Sequence, residues 1–142
     1  MGNLLSREVL LSKEVLKIEK VDLGNDDFVY VTQMTGRERD NFEQSLIRKI
    51  KDKKGTVTGF EQITEDFRAK LAVCTVCDQD GVLIFQKDDW STLSQNISAA
   101  RLEQIVNAAQ KLNAISEEDK EALVKNSEPD PENNSNSGSV VN

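Results

Sequence analysis

Two β-type runs that flank a turn, followed at once by a capped helix, constrain the fold of this chain more than any other feature. Residues 15–21 and 28–33 are rich in β-branched and apolar side chains, and the turn-forming residues 24–27 (GNDD) lie between them. Two such runs around a short connection predict a β-hairpin. Thr35 and Glu38 follow as a T-x-x-E capping box, which predicts that a helix begins at this point.

Apolar side chains at helical spacing predict four helices in the body of the chain. The first is expected to run from Thr35 to the lysines before Gly55, with inward side chains at Phe42, Leu46, Ile47 and Ile50. A second is expected over residues 61–77 and a short third over residues 87–95. The fourth is expected over residues 98–112, with Ser98 as its N-cap and inward side chains at Leu102, Ile105, Val106, Ala109 and Leu112.

Shorter segments complete the predicted architecture. Residues 82–85 (VLIF) are a candidate third strand on the hairpin, while Ser6 and Ser116 are expected to cap short helices near the two ends. Residues 127–142 hold two prolines and no aromatic side chain, so we expect a disordered, acidic and polar tail. We therefore predict one α+β domain over residues 1–126, in which the hairpin packs on four to five helices.

The charge of the chain is acidic and unevenly distributed. The formal net charge is −7 at pH 7, and residues 114–142 contribute −5 of it. Nucleic acids and anionic membranes both attract clustered Lys and Arg, so we expect neither as a partner. No run of about 18 apolar residues occurs. We therefore expect a protein of a soluble, reducing compartment.

The absence of histidine and the presence of only two cysteines limit the chemistry available to this chain. Histidine is the commonest general base and metal ligand, and Cys74 and Cys77 alone cannot complete a zinc site. They fall near the end of the second predicted helix, where the dipole disfavours a thiolate, so we interpret them as small core residues. Residues 78–81 (DQDG) fit a turn, because a calcium loop in this frame would need ligands at Val76 and Lys87. We predict a non-enzymatic protein without metal or cofactor.

Two charged stretches and the single tryptophan supply the candidate partner-binding residues. Residues 48–54 (RKIKDKK) form a basic cluster that suits a helix C-terminus, with contact to phosphate or to an acidic protein surface as the alternatives. No aromatic residues are interleaved in it for stacking on bases. Residues 36–40 (GRERD) place two arginines in the first turn of a helix, against its dipole, which indicates either a solvated face with an Arg37–Asp40 ion pair or a binding surface. Trp90 is expected in the core, because tryptophan is usually highly buried, and contact with a partner is the alternative. The candidates are Arg37, Arg39, Lys49, Lys51, Lys53, Lys54 and Trp90.

The block QMTGRERD at residues 33–40, followed by Phe42 and Glu43, resembles a signature of the tail assembly chaperones of long-tailed (siphovirus-type) bacteriophages. The similarity covers residues 4–126 and lies in the order and spacing of several blocks. Besides the first block, these are FRAKL at 67–71, DQDG at 78–81, Phe85, AAQKLN at 108–113 and SEED from Ser116.

This resemblance implies a non-catalytic chaperone that binds the long, largely helical tape measure protein before the tail tube polymerises around it. Such a chaperone acts in the host cytoplasm and is absent from the mature virion. Many family members also have a longer form, made by ribosomal frameshifting, whose extra domain is thought to recruit the tail tube protein. Homo-oligomerisation stays open, and the alternative function is a structural head or tail component retained in the virion.

Overall fold

The computed structural model describes residues 2–63, 65–116, 118–119 and 121–122, and the chain is an α+β protein, as predicted. The predicted domain boundary at residue 126 and the predicted disorder of residues 127–142 lie outside these residues. Within them the elements, in chain order, are α1 (Arg7–Leu11), β1 (Ile18–Gly24), β2 (Asp27–Thr32), α2 (Gly36–Gln44), β3 (Ile47–Lys51), β4 (Val57–Gln62), α3 (Phe67–Thr75), β5 (Val76–Cys77), α4 (Trp90–Asn96) and α5 (Ala99–Leu112). A short 3₁₀ turn, Lys87–Asp89, precedes α4.

The predicted hairpin is present, and its turn explains its register. Asn25 and Asp26 have φ values of 56° and 66°, and a two-residue type I′ turn requires positive φ at both central positions. Because the turn is this short, β1 stays paired antiparallel with β2 up to Gly24, with a register shift between Asp22 and Gly24. The first strand covers Ile18–Gly24, three residues later than the predicted 15–21.

The third strand of this sheet is β5 rather than the predicted residues 82–85. The strand order is β1-β2-β5, and β5 is antiparallel to β2. Leu83 makes a single antiparallel bridge to Cys77, while Val82 and Ile84 are exposed. The prediction of a third strand over residues 82–85 was therefore wrong, because the two-residue β5 occupies that place beside β2.

The region after α2 departs most from the sequence-based prediction. The helix begins at the predicted capping box but ends at Gln44, and β3 and β4 form a separate two-stranded antiparallel sheet. Leu46 is fully buried, whereas Ile50 is 43% exposed. The apolar side chains that were predicted to share one helix face therefore do not all pack in the core. The β-branched Ile47 and Ile50 suit a strand instead. We call residues 47–62 the ribbon.

The second predicted helix is also shorter than expected. Instead of residues 61–77, α3 covers Phe67–Thr75, because residues 61–62 end β4 and residues 76–77 form β5. The predicted turn at residues 78–81 is present, and the Asp78 carboxylate accepts the backbone N–H groups of Asp80 and Val82.

The core lies where the three-stranded sheet meets α2, α3 and α5. The Phe42 and Phe67 rings pack edge to face, with centroids 5.6 Å apart. Helix α5 follows its prediction closely, since the Ser98 hydroxyl accepts the N–H of Arg101. Four of its five predicted inward side chains are buried, while Leu112 is half-buried at the core margin: the buried four are Leu102, Ile105, Val106 and Ala109.

Side-chain caps begin the short helices at the predicted residues. The Ser6 hydroxyl accepts the N–H of Val9 at the start of α1. Ser116 and Asp119 form the reciprocal bonds of a capping box, and the backbone N–H of Ser116 lowers the pKa of the Asp119 carboxyl. Much of the helix predicted after Ser116 lies outside the described residues.

The capping box of α2 gives a first testable prediction. Thr35 Oγ1 accepts the Glu38 N–H at 3.2 Å, and the Glu38 carboxylate accepts the Thr35 N–H at 2.8 Å. Thr35→Ala should lower the free energy of unfolding in urea by about 1 kcal/mol, because an N-cap hydroxyl is lost. Thr35→Ser keeps the hydroxyl and is the control. Equal losses in the two variants would contradict this role of the cap.

Candidate partner-binding surfaces

The segment that precedes β1 exposes a cluster of apolar side chains. We call residues 2–16 the arm. Of the thirteen large apolar residues that are exposed in the described part of the chain, the arm holds six: Leu4, Leu5, Val9, Leu10, Leu11 and Val15. Leu4 is 101% exposed and Val15 is 92% exposed, and α1 has no buried residue. Single exposed apolar residues are ordinary in soluble proteins, but a cluster of them is typical of an interaction surface.

The arm is ordered by its own hydrogen bonds and is joined to the hairpin at its base. The Ser12 hydroxyl donates to the Val9 carbonyl at 2.6 Å and closes α1. The backbone N–H of Lys17 donates to Gln33 Oε1 at 2.8 Å, and the N–H of Gln33 donates to the Lys17 carbonyl at 3.0 Å. The sequence predicted the cap of α1 but not an apolar surface. The available signal was the density of leucine in the two near-repeats LLSREVL and LLSKEVL.

A second surface is a cleft of about 310 Å³ between α2, α3 and the segment that leads into α4. Its apolar wall consists of Val73, Cys74, Leu83, Phe85 and Trp90, and charged side chains such as Glu38 and Asp88 also line it. The predicted core residue Trp90 is half-buried here rather than inside the core. Part of its indole ring therefore lines the cleft and is accessible from it.

Lys70 lies at the base of this cleft and is 7% exposed. Its Nζ donates to the Ser45 carbonyl at 3.0 Å, just beyond the end of α2, and lies 4.6 Å from the centroid of the Trp90 ring. Burial lowers the pKa of Lys70, while the nearby carboxylates of Asp66 and Glu65 oppose that shift. The carbonyl and the indole face therefore replace water around this ammonium group.

The two arginines of the GRERD block have different environments. Arg39 donates to Glu43 Oε2 at 3.1 Å and to the Asn113 carbonyl at 3.3 Å, so it ties α2 to the end of α5. Arg37 is exposed, and it makes no ion pair within the described residues, including the predicted pair with Asp40. Of these two predicted contact residues, Arg37 is the one whose guanidinium is available to a partner.

The four predicted lysines lie on the ribbon and its turn, not at a helix end. Residues 48–58 are all exposed. Arg48 pairs with Glu61 across the two strands, whereas the part of the chain seen in the structure places no carboxylate in ion-pairing distance of Lys49, Lys51, Lys53 or Lys54. The predicted candidates therefore occupy three separate places: the start of α2, the ribbon and the cleft.

Asn113 is a structural residue that sequence reasoning missed. Its Oδ1 accepts the Met34 N–H at 2.7 Å, and its Nδ2 donates to the carbonyls of Thr32 at 3.3 Å and Ala109 at 3.0 Å. It thereby joins the end of α5 to the loop between β2 and α2. The only sequence signal was an asparagine directly after the last apolar residue of a helix.

The two cysteines lack the environment of an activated thiol. Cys77 is 4% exposed and Cys74 is half-buried. Burial raises the pKa of both thiols, and the carboxylates of Glu38 and Asp78 add to the shift at Cys74 and Cys77 respectively. A raised pKa leaves less thiolate at neutral pH, which is the opposite of what a nucleophilic cysteine needs.

Thiol labelling tests this environment. At pH 7.5 we expect the folded protein to react with Ellman's reagent at least about tenfold more slowly than the urea-unfolded protein, and faster as the pH rises. Mass spectrometry of partly labelled protein should show Cys74 modified before Cys77, since Cys77 is the more buried. Equal rates in the folded and unfolded protein at pH 7.5 would contradict the described burial.

Among the residues that the structure describes, no group of three or more His, Cys, Asp or Glu side chains could hold a metal ion. None of the helices in that same part of the chain has the length and apolar character needed to span a bilayer. Comparison of the chain with protein-family models, with curated proteins and with solved structures found no match.

Proposed function

We propose that this protein is a non-catalytic tail assembly chaperone of a long-tailed bacteriophage, which binds the tape measure protein in the host cytoplasm and is absent from the mature virion. The resemblance of residues 33–43 to that family supports the assignment. The observation that carries the binding role is the exposed apolar arm, in which Leu4, Leu5, Leu10 and Leu11 are 51–101% exposed.

The chemistry of a tape measure protein fits such a surface. A long helical polypeptide presents apolar stripes, and stripes left uncovered in water lead to aggregation. The leucines of the arm and the apolar wall of the cleft can cover them, in the manner of an amphipathic helix that packs on an apolar surface. The cleft is at the small end of the range for ligand pockets, about 300–1,000 Å³, so it suits one or two side chains of a docked helix.

Charge supports the same role. The chain carries −7 at neutral pH, so several copies along one partner would repel one another and keep the complex soluble. In this proposal the tail tube protein is a second partner, recruited through a longer frameshifted form of the chain.

Co-expression with the tape measure protein of the same phage tests the proposal. The full chain should keep the tape measure protein soluble and co-purify with it. An arm variant with Leu4→Ser, Leu5→Ser, Leu10→Ser and Leu11→Ser should lose more than tenfold in affinity, since burying an exposed leucine contributes about 1.5–3 kcal/mol. These four side chains are exposed, so the unfolding transition of the variant should stay close to that of the wild type.

A ribbon variant with Val57→Ser and Phe60→Ser is the matched control, because it removes exposed apolar side chains at a different place. It should bind like the wild type. Failure of the wild-type pair to associate would overturn the proposal. Mass spectrometry of purified virions gives an independent test, since finding this chain at the copy number of a tail protein would favour a retained structural component.

A further inference from the structure

The ribbon is a basic surface on an otherwise acidic protein. It holds five cationic side chains and two carboxylates, for a net charge of +3 within a chain of −7. Both carboxylates are already engaged, since Glu61 pairs with Arg48 and Asp52 Oδ1 accepts the backbone N–H groups of Lys54 and Thr56 in the turn. The charge of the four lysines is therefore available to a molecule outside the described part of the chain.

The ribbon also has two open edges. Strands β3 and β4 form a sheet of two strands, so each has one edge that no other strand of the described residues pairs with. Exposed apolar side chains lie next to these edges, since Ile50, Val57 and Phe60 are 43%, 42% and 65% exposed. A two-stranded sheet is only marginally stable by itself, and a third strand stabilises it. The ribbon therefore suits the addition of a strand from a partner.

The pairing within the ribbon determines which backbone groups face outward. The Ile63 N–H donates to the Leu46 carbonyl, so these two residues form a hydrogen-bonded pair. Bonded and non-bonded pairs alternate along an antiparallel ladder, which makes Lys49 and Phe60 a non-bonded pair in the observed register. The N–H and C=O groups of Lys49 therefore point away from β4. Those of Lys51 do the same, because the register shift nearby places its extra residue in β4 and leaves the alternation of β3 intact.

The two lysines with outward backbone groups also carry charge beside this edge. Their side chains point to one face of the ribbon, about 6.8 Å apart, because they are two residues apart in a strand. Lysine on an edge strand opposes pairing with an apolar or basic strand. A strand with carboxylates at alternate positions removes this barrier, since opposite charges directly across a ladder attract each other. The edge of β3 therefore selects for acidic strands.

We propose that the open edge of β3 binds an acidic, extended segment of a partner protein as a third, antiparallel strand. Lys49 and Lys51 then exchange backbone hydrogen bonds with two residues of that segment, each an Asp or Glu whose carboxylate meets the lysine opposite. The residue between these two lies opposite Ile50, which favours an apolar side chain there. The partner is thus recognised by an acidic–apolar–acidic pattern. The edge is separate from the arm and the cleft, so this binding role does not rest on the proposed function.

A protein segment fits this edge better than a nucleic acid does. The rest of the chain carries −10, the difference between the total of −7 and the ribbon's +3. A long polyanion would extend over that acidic surface, whereas a short segment contacts the ribbon alone. Single-stranded nucleic acid binds through several aromatic side chains on which successive bases stack, and Phe60 is the one aromatic residue of the ribbon.

Hydrogen exchange measured by NMR on the full chain tests the edge. The probe is a synthetic peptide of alternating glutamate and valine with blocked ends, about seven residues long, which is the length of an ordinary strand. Saturating peptide should slow the exchange of the Lys49 and Lys51 amides at least about tenfold, since both gain an acceptor. The amides of Arg48 and Ile50 face β4 and should change less.

Peptide controls separate strand pairing from attraction between charges. A peptide whose glutamates are N-methylated keeps its carboxylates but lacks the N–H donors that face β3. It should bind about tenfold more weakly, because two hydrogen bonds are lost. A peptide of alternating lysine and valine should not bind, since like charges directly opposite one another repel.

A matched pair of variants tests the two lysines. Lys49→Gln with Lys51→Gln should weaken binding of the glutamate–valine peptide about fivefold, because two opposed charge pairs are lost. Lys13→Gln with Lys111→Gln removes the same charge from exposed positions elsewhere and should bind like the wild type. Nuclear Overhauser contacts between β3 and β4 check that the ribbon still forms in both variants.

Three results would overturn the proposal. Unchanged exchange of the Lys49 and Lys51 amides at the solubility limit of the peptide would show that the edge accepts no strand. Equal binding of the N-methylated peptide would reduce the contact to attraction between charges. Tighter binding of a thymidine oligonucleotide than of the peptide would assign the ribbon to nucleic acid. None of these results depends on whether the tape measure protein binds the arm.

Discussion

Phe42→Ala is expected to lower the free energy of unfolding by about 3–5 kcal/mol. Phe42 is fully buried, and its ring packs against that of Phe67 across the contact between α2 and α3. Truncation removes apolar burial and leaves a cavity that the surrounding helices can fill only in part. Since a domain of this size is stable by about 5–15 kcal/mol, a large part of the total is lost.

Urea unfolding followed by circular dichroism measures this loss, and Phe60→Ala is the matched control. The same atoms are removed at a position that is 65% exposed, so the change should stay within about 0.5 kcal/mol. Similar losses in the two variants would contradict the described core, and a larger loss for Phe60→Ala would mean that the ribbon is packed against other parts of the chain.

Asn113→Ala is expected to lower the free energy of unfolding by about 2–3 kcal/mol, because it leaves polar groups of the β2–α2 loop without partners. The Met34 N–H and the Thr32 carbonyl both lose a hydrogen bond, and Thr32 is only 6% exposed. Hydrogen exchange at the Met34 amide should accelerate as well, since its acceptor is the Asn113 side chain.

The control for this variant is Asn107→Ala, an exposed position on the same helix. Alanine has the higher helix propensity, so Asn107→Ala should be neutral or slightly stabilising. If the two asparagine variants have the same stability, or if the exchange of the Met34 amide does not change, then Asn113 does not join α5 to the loop.

The parts of this fold that could be predicted from sequence depend on interactions within four residues. Asn25 and Asp26 tolerate positive φ and so specify the hairpin turn. Thr35 specifies the start of α2, and Ser98 that of α5, because each hydroxyl satisfies an N–H three residues further on. Such rules need no knowledge of the rest of the chain.

The ribbon could not be predicted in this way, because its sequence is compatible with a helix and with a strand. Phe42, Leu46 and Ile50 recur as on a helix, while the β-branched Ile47 and Ile50 also suit a strand. Burial decides between them: Leu46 reaches the core and Ile50 does not. That difference depends on packing with distant elements.

The candidate surfaces also depend on packing that the sequence does not reveal. The charged candidates could be selected because charged residues are evident in the sequence, yet the Arg39 guanidinium is bonded to the Asn113 carbonyl within the fold. The apolar arm was missed as a surface because leucines in a short capped helix look the same whether or not another element covers them. Only the position of the arm relative to the body separates the two cases.

The connection between the arm and β1 has a mechanical consequence. The arm leads into β1, which lies antiparallel to β2 from Ile18 to Gly24, and ladder hydrogen bonds run perpendicular to the strands. A force that pulls on the arm along the strand axis therefore loads these bonds in shear. The two hydrogen bonds between Lys17 and Gln33 lie nearest the arm and take the tension first. Under load the arm would lengthen at that pair while the sheet behind it stays closed.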